Sequence, residues 1–157
     1  MNITFPRKRR LTKTSLSVII VLVLVVSYMI AWDRTRGTQK RFDKAIMLMA
    51  SGRYEESLKL FEKVLSRWPR AKLAWTAKGL CELNLGRYED ALVSYNKLLR
   101  IDPTFLQGLL GKGRAFEKLG RYNEAIQCFE KIVEINPDVL KAREQIDRLI
   151  RIRDSSF

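Results

Sequence analysis

One tripeptide, Gly-Arg-Tyr, recurs at residues 52–54, 86–88 and 120–122, with an interval of 34 residues each time. Prolines keep the same interval at Pro69, Pro103 and Pro137. So do the aromatics Phe61, Tyr95 and Phe129, the lysines Lys63, Lys97 and Lys131, and the small residues Ser57, Ala91 and Ala125. Many residue types sharing one period mean a stack of like units, each a supersecondary motif that cannot bury its apolar face alone.

The second unit shows what the motif is. Apolar residues fall at helical spacing from Trp75 to Leu83 and again from Ala91 to Leu99. Between them Gly86 suits the left-handed conformation that ends a helix, and Tyr88 opens the second helix. Asp102 is placed to cap and Pro103 to enter the first turn of the next helix. Gly79 and Ala91 let two antiparallel helices approach closely. The unit is therefore a helix hairpin.

WTAKGLCELNLGRYEDALVSYNKLLRIDP, running from Trp75 to Pro103, resembles a tetratricopeptide repeat, with Trp, Gly, Gly-x-Tyr, Ala, an aromatic and Pro at that family's spacing. The third unit matches with Leu109 in place of the tryptophan. The first diverges more, with Arg41 and Ser57 where the second has Trp75 and Ala91. The resemblance covers about two-thirds of the chain and implies an all-α solenoid of three hairpins, residues 38–71, 72–105 and 106–137. The pattern departs at the seventh position, usually Leu but here Lys44, Lys78 and Lys112. It departs also at the twenty-seventh, usually Ala but here Val64, Leu98 and Ile132; both changes should alter packing detail only. After Pro137, Val139, Ile146, Leu149 and Ile150 share one helical face, which predicts a capping helix over 138–152 and a frayed tail over 153–157.

The resemblance also implies a concave groove lined by the first helix of each unit. The first unit contributes Gln39, Phe42, Ile46, Met49 and Ala50. The second contributes Leu73, Thr76, Leu80, Leu83 and Asn84, and the third Gln107, Leu110, Arg114, Glu117 and Lys118. The expected partner-binding residues are Phe42, Ile46, Met49, Leu80, Leu83, Leu110, Arg114 and Lys118. An apolar groove turning basic at one end suits an amphipathic protein segment. Some members hold a C-terminal carboxylate with Lys, Asn and Arg at set positions. Here those positions are Phe42, Ile46, Ala77, Gln107 and Gly111, so that mode is not expected.

Ahead of the repeats, Thr14–Trp32 is a run of 19 uncharged residues. As helix it spans roughly 28 Å, close to the hydrocarbon core of a bilayer, and in lipid a lone strand would leave its backbone unpaired. Tyr28 and Trp32 sit where aromatic rings favour headgroups. The run is expected to be a transmembrane signal anchor, preceded by a basic tail over 1–13 and followed by a short linker over 33–37. A cleaved signal peptide would need a small-x-small site, and Met29 before Ala31 makes a poor one. Arg7, Lys8, Arg9, Arg10 and Lys13 precede the run, while Arg34, Arg36, Lys40 and Arg41 follow it. Five against four favours a cytoplasmic N-terminus, with the repeats on the opposite side. Arg7, Lys8, Arg9 and Arg10 could also touch anionic lipid.

Composition excludes more than it selects. The net charge is +13, of which +8 lies from Asp33 onward, so an alternative function is a basic surface that binds anionic lipid or another polyanion. There is no histidine, and Cys81 and Cys128 stand far apart as small apolar packing residues. No metal, cofactor or enzymatic activity is expected, and no specific nucleic acid. Gly111-Lys112-Gly113 lies within a helix and lacks the phosphate-loop pattern. The function expected is a membrane-anchored scaffold or assembly factor.

Overall fold

The computed structural model describes the backbone of residues 13–155, and the side chains over that range except at 13–19, 33 and 34. The described residues form seven helices: α1 Lys13–Ala50, α2 Tyr54–Arg67, α3 Lys72–Asn84, α4 Tyr88–Ile101, α5 Leu106–Lys118, α6 Tyr122–Ile135 and α7 Leu140–Ser155. The chain divides into two compact units, Met1–Gly37 and Thr38–Phe157.

In the second unit, the glycine turns form as their sequence requires. Gly52, Gly86 and Gly120 have φ of 76°, 74° and 72°, a region open to glycine at little cost. At Gly86 the next amide, Arg87 N, donates back to Glu82 O at 2.9 Å, and Gly86 N donates to Leu83 O at 3.1 Å. This paired closure satisfies the last carbonyls of α3. The same bonds recur after α1 and α5. Each turn reverses the chain so that α3 packs on α4, α4 on α5, α5 on α6 and α6 on α7, with α2 also on α3. In addition α3 touches α5, which brings the first helices of successive hairpins side by side.

Two apolar clusters make the core. One gathers Ala45, Leu58, Phe61, Val64, Leu65, Ala74, Ala77 and Cys81. The other runs from Ala91 and Tyr95 through Phe116 and Phe129 to Ala142 and Leu149. Trp75 packs against both and donates its indole N–H to Pro69 O at 2.8 Å. The periodic aromatics Phe61, Tyr95 and Phe129 are all fully buried or nearly so. Tyr95 lies directly on Gly79 and Gly111: a Cβ at those positions would come within 2.7 Å and 2.2 Å of its ring. Ser57 replaces the usual Ala without strain because its hydroxyl donates to Ala45 O at 2.7 Å. Val64, Leu98 and Ile132, bulkier than the family's Ala, are all buried in the core. Both cysteines are free and buried, and burial pushes each thiol's pKa up.

The lysines at the seventh position find two solutions. Lys78 pairs with Glu82, which is 3% exposed, and Ser94 Oγ donates to the other carboxylate oxygen at 2.6 Å. A buried carboxylate is tolerable only with such company. Lys112 instead lies over the Phe116 ring, 5.6 Å from its centre.

Three expectations need correction. Pro103 does not enter the first turn of α5, which begins at Leu106. The Asp102 carboxylate accepts instead from Thr104 N at 3.2 Å, Thr104 Oγ1 at 3.0 Å and Lys72 Nζ at 2.9 Å, and the Lys72 bond foremost holds its pKa down. Such an Asx turn takes the residues that a helix start would have used. Residues 33–37, expected as a short linker, lie within helix α1. They contain no proline, and extending a formed helix is cheaper than nucleating a second. The tail is not frayed from residue 153, because α7 continues to Ser155. Its Arg153 reaches Asn123 at 3.2 Å.

In the first unit, every large apolar side chain from Ile20 to Trp32 is 48–67% exposed. Among the described residues no helix is long and apolar enough to cross a membrane. Ile20–Trp32 alone makes about 20 Å of helix, short of a hydrocarbon core of ~30 Å. The rest of the expected anchor, residues 14–19, lies outside the described side chains, and Arg7, Lys8, Arg9 and Arg10 lie outside the described residues.

Gly111→Ala should destabilise the repeats by about 1–3 kcal/mol, since the new methyl meets a buried ring that cannot withdraw. Gly86→Ala meets open space but a left-handed backbone, and should cost about 1 kcal/mol. Denaturant midpoints measure both, and an unchanged midpoint for Gly111→Ala would contradict the close Tyr95 contact. Glu82→Leu strands Lys78 and should cost up to about 3 kcal/mol, most of it recovered on adding Lys78→Met. Additive losses in the double variant would show that the pair is not the cause.

Candidate functional site

Because α3 and α5 lie side by side, with α7 following α6 at the far end, their facing side chains bound one open groove of about 810 Å³. Its apolar surface includes Leu80, Leu83, Leu106, Leu110 and Val139, with buried Phe129, Ile132 and Ala142 beneath. Leu80 is 37% exposed. Polar side chains complete the lining: Asn84, Tyr88 and Gln107, then Arg114, Glu117 and Lys118 from α5, then Lys141, Glu144, Gln145 and Arg148 from α7. Four cations thus face two carboxylates.

Of the residues expected to bind a partner, Leu80, Leu83, Leu110, Arg114 and Lys118 come together in this groove. Phe42, Ile46 and Met49 do not line it. They are half-buried against the other core cluster, with the Phe42 ring edge-on to Phe61 at 5.9 Å. Sequence reasoning missed the wall supplied by α7. The signal was there in the period: Lys141, Glu144 and Arg148 stand 34 residues after Gln107, Leu110 and Arg114. The capping helix therefore repeats the register of a first helix and adds to the groove.

The wall is tied across the groove. Arg148 Nη2 donates to Glu117 Oε1 at 2.7 Å and to Gln145 Oε1 at 2.6 Å, and Nε donates to Gln145 Oε1 at 3.2 Å. Arg114, Lys118 and Lys141 enter no ion pair among the described residues. The recurring turn arginines behave differently. Arg53 pairs with Glu56 at 2.5 Å, Arg87 with Glu55 at 3.0 Å and Arg121 with Glu124 at 2.7 Å. Those contacts hold the Glu56 and Glu124 carboxyls below their ordinary pKa and neutralise much of what would be a basic stripe. Among the described residues no group of three His, Cys, Asp or Glu is placed to hold a metal.

A tetratricopeptide-repeat family model matches residues 42–104, and a second model of the same repeat matches 107–139. These residues are tetratricopeptide repeats. No curated protein matches the chain. Among solved structures, the first TPR of Spaghetti (RPAP3), bound to an HSP90 peptide, superposes with a TM-score of 0.70 at 16% identity over 74% of this chain and 93% of that one. The Sgt2 TPR domain from Aspergillus fumigatus gives 0.69 at 17% identity over 76% and 80%. MamA from Desulfovibrio magneticus gives 0.70 at 21% identity over 74% and 66%. At these identities the likeness is one of fold.

Proposed function

We propose that this chain is a protein-interaction module held at a membrane, whose groove receives an amphipathic segment of another protein. The observation that carries the reading is the groove itself. Leu80, Leu83, Leu106 and Leu110 line an open space of about 810 Å³, Leu80 exposed and the other three half-buried against the core. Exposed apolar side chains gathered in a concavity and rimmed by charge mark an interaction site. RPAP3 bound to an HSP90 peptide supports the idea that a fold of this kind takes a peptide segment of another protein. The chemistry here differs from carboxylate capture, because Phe42, Ile46, Ala77, Gln107 and Gly111 occupy the positions such a clamp uses.

The membrane part of the reading rests on Thr14–Trp32, uncharged over 19 residues. Its described side chains from Ile20 onward are exposed on every side, an arrangement that favours lipid over water. Arg7, Lys8, Arg9 and Arg10 would orient the anchor and meet anionic headgroups, leaving the N-terminus cytoplasmic and the repeats on the other side.

Leu80→Ser and Leu83→Ser should each weaken partner binding by about 1–3 kcal/mol, chiefly through faster dissociation. The groove is not the site if both variants keep full helicity and full affinity. Carbonate extraction should leave the chain in the membrane with the mass of an intact N-terminus. Release into the soluble fraction, or a mass short of the first thirty or so residues, removes the anchor. Added protease should reach the repeats only from the non-cytoplasmic side.

A further inference from the structure

We propose that Arg148, carried by the capping helix, recognises a carboxylate on the segment that occupies the groove, so that the preferred partner is an acidic amphipathic helix. The proposal rests on the groove reading above and adds to it the chemistry of the occupant.

The guanidinium has five N–H donors in a fixed fork. Nη2 gives its two to Glu117 and Gln145, and Nε gives its one to Gln145. Nη1 makes no hydrogen bond among the described residues, and the side chain is 43% exposed. Glu117 and Gln145 therefore hold the group in place while an edge stays available to an incoming acceptor. Holding the fork in advance reduces the entropy lost on binding.

The surrounding charge selects the same occupant. Arg114, Lys118 and Lys141 line the groove without an ion pair, while the two acids that face them are Glu117, already engaged by Arg148, and Glu144. A basic segment would meet like charge from both α5 and α7. A neutral one would bury the leucines but leave these cations without any new contact. An acidic helix satisfies both surfaces at once, its apolar face on Leu80, Leu83 and Leu110 and its carboxylates toward Arg148, Arg114 and Lys118. Complementary potential of this kind sets specificity and association rate.

The test uses the full chain in detergent micelles and a displayed library of amphipathic helices of ~18 residues, five turns. Leucines are fixed on one face and the remaining positions are randomised. Selected segments should be enriched in Asp and Glu beside the leucine face. A selected peptide should then bind about tenfold tighter than its twin with Glu changed to Gln at the contact position. In Arg148→Gln that ratio should fall towards one. The ratio is internal to each variant, and it is read also in Glu117→Gln and in Glu117→Gln/Arg148→Gln, so that the carboxylate left unpaired by losing Arg148 does not mimic the effect; thermal unfolding monitors the fold alongside. An unchanged ratio in Arg148→Gln overturns the proposal, and so does a selected pool without acidic enrichment. If such peptides bind and need Leu83, only the carboxylate assignment falls. If no segment binds, or binding ignores Leu83→Ser, the groove reading falls and this one with it.

Discussion

Tyr95 is enclosed by two glycines from different hairpins, Gly79 in its own and Gly111 in the next. With no Cβ on either side, the ring lies against bare helix backbone, and α3 and α5 can stand close enough to touch. Burial also pushes the phenol's pKa well above its ordinary value, so the group stays neutral in this apolar setting. The groove depends on that spacing. A larger residue at either glycine would drive the first helices apart and spread the leucines that now share one cavity.

Charge is distributed by the same economy of contacts. Where a carboxylate is buried, as at Glu82, a lysine and a serine hydroxyl surround it. At the surface turns, each recurring arginine is met by a glutamate. The chain from Asp33 onward is basic by composition, yet the turn stripe is largely neutralised. The cations without an ion pair at the groove, Arg114, Lys118 and Lys141, concentrate positive potential beside apolar surface. That favours a groove-bound acidic segment over diffuse attraction to a polyanion.

Most of the helix order was readable from residues alone. The period placed the hairpins, and Gly52, Gly86 and Gly120 marked the turns because a left-handed backbone is nearly glycine's alone. Asp102-Pro103 misled, since the same residues suit a helix start and an Asx turn, and the Lys72 contact from 30 residues away takes part in holding Asp102. Three of the eight expected groove residues lie outside the cavity: Phe42, Ile46 and Met49 share spacing with Leu80 and Leu83 but pack against the first core cluster. Helical spacing shows that a residue is on a face. It does not show whether another element covers that face.

The sequence by itself determined the repeat unit, its length, its turns and the identity of the rings and small residues that let units stack. Those features are local or periodic, and backbone sterics and helical spacing act on them within one hairpin. Only the tertiary structure decided which apolar side chains stay open. That Leu80 and Leu83 line the groove while the half-buried Phe42 lies outside it depends on contacts between helices far apart in the chain. It also decided that α7, which keeps the 34-residue register, serves as a groove wall with Arg148 tied to Glu117 across 31 residues. A hydrogen bond between helices that distant exists only once the intervening hairpin has closed.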